Sequence, residues 1–145
     1  MKRNVILFVI AFFAYVIPDI LYNVVIGLRL EGILLEQSGI SGIFALSELA
    51  PLLFILFFIL ITLGNLILVI FPAMAAGSIR KAVEHGFLLG VVSYGTLGLT
   101  VAWLIPGYPL ALTAIVIVSG GVFSLICSGF TTFIGLKLDR KAAGS

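Results

Sequence analysis

Charge is what this sequence has least of. Its 145 residues hold 8 Lys+Arg and 6 Asp+Glu, 10% in all, where soluble domains carry about 25%. With 62% of positions hydrophobic and a mean hydropathy of +1.34, a water-soluble globule is excluded. The single cysteine, Cys127, excludes a disulfide framework and a cysteine metal pair. The single histidine, His85, has no second His or Cys to share a metal with. No nucleophile-base pair, glycine-rich phosphate loop or carboxylate dyad stands in the chain, so the reading is of a non-enzyme without metal or cofactor.

What is there is apolar length. No charged residue falls between Glu48 and Arg80, 31 positions, or between Glu84 and Lys137, 52 positions. A helix needs about 20 apolar residues to cross a bilayer. The first gap therefore holds one span, the second holds two, and the run after Lys2-Arg3 holds another. The fold class is all-α, an integral membrane bundle of four transmembrane helices in one domain, residues 1–141, with spans at about 5–27, 51–76, 86–105 and 110–136. The closing Ala142, Ala143, Gly144 and Ser145 read as a non-native remnant. A basic pair ahead of Val5 to Ile17 also fits a cleaved leader, but apolar character resumes after Pro18-Asp19 and no small-x-small site follows, so the segment reads as a retained span.

The basic residues set orientation rather than suggesting nucleic acid, despite a pI near 8.9. Lys2, Arg3, Arg80, Lys81, Lys137, Arg140 and Lys141 share one side and only Arg29 lies on the other. Lys and Arg in short loops stay inside, so both termini and the central loop are expected in the cytoplasm. Partners are the lipid bilayer and, left open, further copies or a larger membrane complex. Residues 28–48 are expected as an outer surface segment, with Leu30, Ile33 and Leu34 at helical spacing and Ser38-Gly39 and Ser41-Gly42 as breaks. Pro51 suits a first helical turn. The turn Ile-Pro-Gly-Tyr-Pro is so short that the third and fourth spans must be antiparallel neighbours, and Trp103 and Tyr108 at its ends fit an interfacial aromatic belt.

Asp19 is the one ionisable side chain inside an expected span, and such residues are functional candidates. About fifteen large apolar neighbours at roughly −0.3 to −0.6 kcal/mol each outweigh about +3 kcal/mol for one Asp, so insertion alone asks no special role of it. Structural gluing around Pro18, a ligand or ion contact, and proton coupling all stay open. Tyr15, Tyr22 and Asn23 lie at i−4, i+3 and i+4 and share its face. Asn65 in the second span and Tyr94 in the third are its expected partners; Asp19, Asn23, Asn65 and Tyr94 form the candidate contact set. Thr96 and Thr100 in the third span are further expected partners of Asp19, and each of these groups could equally be bonded to its own helix backbone.

Residue size is also sorted by face in the fourth span. At 100° per residue, Thr113, Gly120, Ser124, Cys127, Thr131 and Gly135 fall in one narrow arc, opposite Ile115, Val118, Val122, Ile126 and Phe133. Small residues let helix backbones approach in lipid. The packing strip is expected to combine Gly120, Ser124 and Thr131 with Gly86, Gly90 and Ser93 of the third span, crossing near Gly120 and Ser93.

The run FPAMAAGSIRKAVEHGFLLGVVSYGTLGLT, followed by YPLALT, resembles the uncharacterised bacterial family named domain of unknown function 2177. The likeness covers Asp19 to the fourth span and is strongest from Phe71 to Gly120. It implies a four-helix inner-membrane protein and supplies no activity. Asp19, Tyr94, Gly95, Thr96, Leu99, Thr100, Tyr108, Pro109 and Gly120 match the family pattern. Gly98 stands where the pattern has a third-span acid, Val101 where it has an amide, Val116 near a fourth-span acid, and Ser119 for a Trp. Most intramembrane acids are lost, which favours a membrane scaffold or accessory subunit. The alternative is a small oligomeric transporter or channel using Asp19.

Overall fold

The computed structural model describes residues 2–40 and 50–143, and every regular element among them is helical. Helix α1 runs as Lys2–Tyr22, a π turn at Asn23–Gly27 and Leu28–Gln37. Helix α2 runs as Ala50–Asn65, a π turn at Leu66–Ile70 and Phe71–Ala75. Helices α3, Ile79–Leu104, and α4, Leu110–Ala143, are uninterrupted. All four are long and apolar enough to cross a membrane, and the chain is a multi-pass membrane protein.

The ends are built from local chemistry. Helix α1 stops at Gly39, whose φ of +70° suits glycine, with Gly39 N–H donating to the Glu36 carbonyl and Ile40 N–H to that of Leu35. The same pair of bonds caps α2, from Gly77 to Met74 and from Ser78 to Ala73. Ser78 then starts α3, its hydroxyl accepting from Lys81 N–H at 3.3 Å. Between α3 and α4, Tyr108 N–H donates to the Ile105 carbonyl at 3.1 Å, with Pro106 and Gly107 (φ +82°) at the centre of the turn. That is the chemistry of a type II turn, and it forces α3 and α4 antiparallel.

The helices alternate up and down. Arg3 Nη1 lies 3.3 Å from Asp139 Oδ1, tying the start of α1 to the end of α4, and Met74 near the end of α2 packs beside Gly135 and Leu7 at the same end. The termini therefore share one end of the bundle, here the terminal end. At 1.5 Å per residue α1 and α4 measure roughly 50 Å each, well beyond a 30 Å hydrocarbon core. They overshoot oppositely: α4 carries Lys137, Arg140 and Lys141 past the terminal end, and α1 carries Glu31 and Glu36 past the far end.

The first helix does not end near residue 27, because nothing from Asn23 to Gln37 breaks a helix and the chain absorbs one widened turn and continues. Leu30, Ile33 and Leu34 are thus the far-end extension of α1, with Ile40 buried beside the α3–α4 turn, 3.9 Å from where a side chain on Gly107 would sit. Ser41-Gly42 and the rest of the expected surface segment through Glu48 lie outside the described residues.

Helix α4 touches the other three, and its longest interface is with α3. Thr113, Gly120, Ser124, Cys127, Thr131 and Gly135 are all buried, while Val118, Val122, Ile126 and Phe133 are exposed and Ile115 is half-buried. Backbone meets backbone at Gly90, where any side chain would run into the Gly120 carbonyl, and a Cβ on Gly86 would sit 2.7 Å from that of Ser128. Large apolar side chains such as Leu52, Val92 and Val118 face outward, as they do in lipid.

Candidate functional site

Asp19 is held by the irregular stretch of its own helix. A π turn shifts backbone bonding from i+4 to i+5, and here Leu28 N–H reaches the Asn23 carbonyl. The Asn23 side-chain amide turns back to donate to the Asp19 carbonyl at 2.9 Å and to Asp19 Oδ2 at 3.1 Å. Gly27 leaves the room this needs, since a Cβ there would come within 2.6 Å of Asn23 Oδ1. Asp19, Asn23 and Gly27 therefore act as one local device that fixes the carboxylate on the buried face of α1. Among the described residues no other donor bonds that carboxylate.

The device has a second consequence. In a regular helix Glu31, twelve residues beyond Asp19, would point about 120° away from it. One π turn inserts about one residue, or about 100°, and brings Glu31 round to within about 20° of the Asp19 face. Both carboxylates accordingly line one cavity of about 360 Å3 between the helices. Such a volume holds roughly a dozen waters, or a small organic molecule.

The rest of the wall is mostly aromatic. Phe54, Phe57 and Phe58 come from α2, Tyr94 from α3 and Phe123 from α4, with Ser119 as the fourth helix's polar contribution. Tyr94 meets Phe57 edge to face at 5.5 Å and stacks on the buried Tyr15 at 6.4 Å, while Tyr22 meets Phe123 at 5.7 Å. These rings hold α1 and α2 away from α3 and α4, so the gap persists. Tyr94 is ten residues from Leu104, about 15 Å from the far end of α3. The cavity thus reaches from the far end to the middle of the bundle. Tyr15 and Tyr94 bury their hydroxyls near one another, outside hydrogen-bonding geometry. No Lys, Arg or His lines the cavity among the described residues.

Of the four expected contact residues, the structure brings Asp19, Asn23 and Tyr94 to this cavity and places Asn65 elsewhere. Asn65 is fully buried against α4. It donates to Ser124 Oγ at 2.8 Å, and Ser128 Oγ lies 2.6 Å from Asn65 Oδ1 and 2.7 Å from the Ser124 carbonyl, two acceptors for its one proton. That cluster clasps α2 to α4. Cys127 joins α4 to α1, its thiol donating to the Ala11 carbonyl at 3.3 Å. Thr96 and Thr100 are exposed and bond their own helix, to the Val92 and Thr96 carbonyls.

Ser93 is also displaced from its expected place. The close strip of α3 follows i+4 spacing through Gly86, Gly90, Tyr94 and Gly98, and the Tyr94 ring rests on Gly120. Ser93, about 100° round the helix from Tyr94, faces α2 beside Gly64 and Leu60. Thr131 is buried on α4. Glu31, Ser128 and the phenylalanines of α2 were absent from the expected set. Only the helical continuation of α1 and its π turn make Glu31 recognisable.

A family model described as "Predicted membrane protein (DUF2177)" covers residues 4–133. No curated protein and no solved structure matches the chain.

Proposed function

Because the chain belongs to the DUF2177 family of membrane proteins, whose description names no activity, we propose from its own geometry that it binds a small solute within the bilayer. It does so as a non-enzymatic carrier or as the binding subunit of a larger assembly. The observation that carries this reading is the cavity that holds Asp19. A carboxylate buried to 6% exposure is expensive in hydrocarbon, and here it opens onto a space large enough for a ligand rather than into packed side chains. A scaffold needs packing faces, yet the small-residue surface of α4 is already used inside the chain by α3, which leaves less for a partner helix. The positive-inside rule sets the terminal end in the cytoplasm of a bacterial inner membrane, so the cavity opens outward.

The test is labelling in intact cells. Ser119→Cys places a thiol on the cavity wall, and the native Cys127 is fully buried. A membrane-impermeant maleimide added outside should modify Ser119→Cys and leave the unaltered chain unmodified. Modification only after permeabilisation would reverse the orientation, and no modification in either case would end the binding reading. A reporter fused after Lys141 should be active only as a cytoplasmic reporter.

A further inference from the structure

The cavity has the chemistry of a cation site, and the geometry points to its ligand: an organic ammonium ion with an apolar body. This rests on the solute-binding reading above and narrows it to one class. The two ionisable groups on the wall are both acidic, Asp19 and Glu31. A ligand carrying a negative charge would meet them without any counter-charge, since no basic side chain lines the space among the described residues. A neutral apolar ligand would leave a buried carboxylate facing hydrocarbon. A bare inorganic cation would find too few oxygen ligands, because the remaining wall is mainly phenylalanine and tyrosine.

An ammonium group with an aromatic or alkyl tail satisfies each part of the wall. Its N–H groups can donate to the Asp19 oxygen that Asn23 leaves unbonded. That unbonded oxygen belongs to a residue only 6% exposed, and the aromatic wall that surrounds it is an observation independent of the two carboxylates. The positive charge lies among ring faces that attract cations, and the tail occupies the space between Phe57 and Phe123. Glu31, about 18 Å further along α1 toward the far end, draws cations to the mouth.

The experiment uses the full-length protein in detergent at pH 7 and the Ser119→Cys thiol. The probes are 2-phenylethylammonium, its neutral analogue 2-phenylethanol, and phenylacetate. The expected result is that the ammonium slows maleimide modification at concentrations about tenfold lower than the alcohol does, and that phenylacetate gives no protection. The ammonium should also raise the Tm of the unaltered chain, and Asp19→Asn should remove that rise. Should Asp19→Asn fail to fold, Glu31→Gln on the exposed extension, which should weaken protection several-fold, and the probe comparison on the unaltered chain still decide. Equal protection by ammonium and alcohol, or protection unchanged in both carboxylate variants, overturns the cation assignment while leaving a solute cavity. A thiol that never reacts overturns the cavity and the assignment together.

Discussion

The two sides of α4 show what residue size does to a membrane bundle. Toward α3, glycine and serine let the backbones touch at Gly90 and Gly120, and beside that seam Ser124 and Ser128 take the Asn65 clasp from α2. Toward the far-end halves of α1 and α2, phenylalanine and tyrosine hold the helices apart and leave about 360 Å3 between them. Both sides are apolar, so hydrophobicity does not distinguish them. In lipid, the driving force for helix contact is close packing and hydrogen bonding. The same chemistry applied with small residues gives a seam, and applied with large rings gives a cleft.

Breaking the seam should cost most. Gly120→Leu drives a side chain into the Tyr94 ring, and overpacking of this kind costs about 3 kcal/mol or more where the backbone is rigid. Loss of the folded state in a thermal or denaturant titration is expected, whereas Val122→Leu on the exposed face should stay within about 0.5 kcal/mol. The clasp comes next. Asn65→Leu removes bonds to two serines and should destabilise by about 1–2 kcal/mol, the upper range for membrane hydrogen bonds, measured as a shift in unfolding midpoint.

Smaller effects sharpen the cleft. Gly27→Ala pushes against Asn23 Oδ1 and should cost about 1 kcal/mol, with a larger proportional loss in ligand protection than in stability. Asp19→Asn should change stability least, within about 0.5 kcal/mol, because the amide oxygen can still accept from Asn23 while shedding a buried charge. Its effect belongs in binding. A loss of 2 kcal/mol or more in Asp19→Asn would instead make the carboxylate a structural group.

The gaps in charge made four spans legible, and the sorting of small and large residues made the buried face of α4 legible, because helix geometry alone carries both signals. Gly86 and Gly90 were legible for the same reason. Ser93 was not placed correctly because small size suggested packing, while the i+4 line of the close strip continues to the large Tyr94, whose side chain presses against Gly120. Asn65 was matched to the wrong partner. A lone amide in a span signals a bond to something, but its partners, Ser124 and Ser128, are 59 and 63 residues away in sequence. The cleft depended on the π turn at Asn23–Gly27, and no periodicity rule anticipates a one-residue change of register.

The contrast between seam and cleft is tested most directly by two thiols on one helix. Ser119 lines the cleft, and Ser124, five residues on, is fully buried in the seam. In purified protein with a water-soluble maleimide, Ser119→Cys should react at least about a hundredfold faster than Ser124→Cys, because reaction at a buried site must wait for local opening. Ser124→Cys should react no faster than native Cys127. Similar rates at positions 119 and 124 would mean that α4 has no open side, and the cleft with its carboxylates would not be a site.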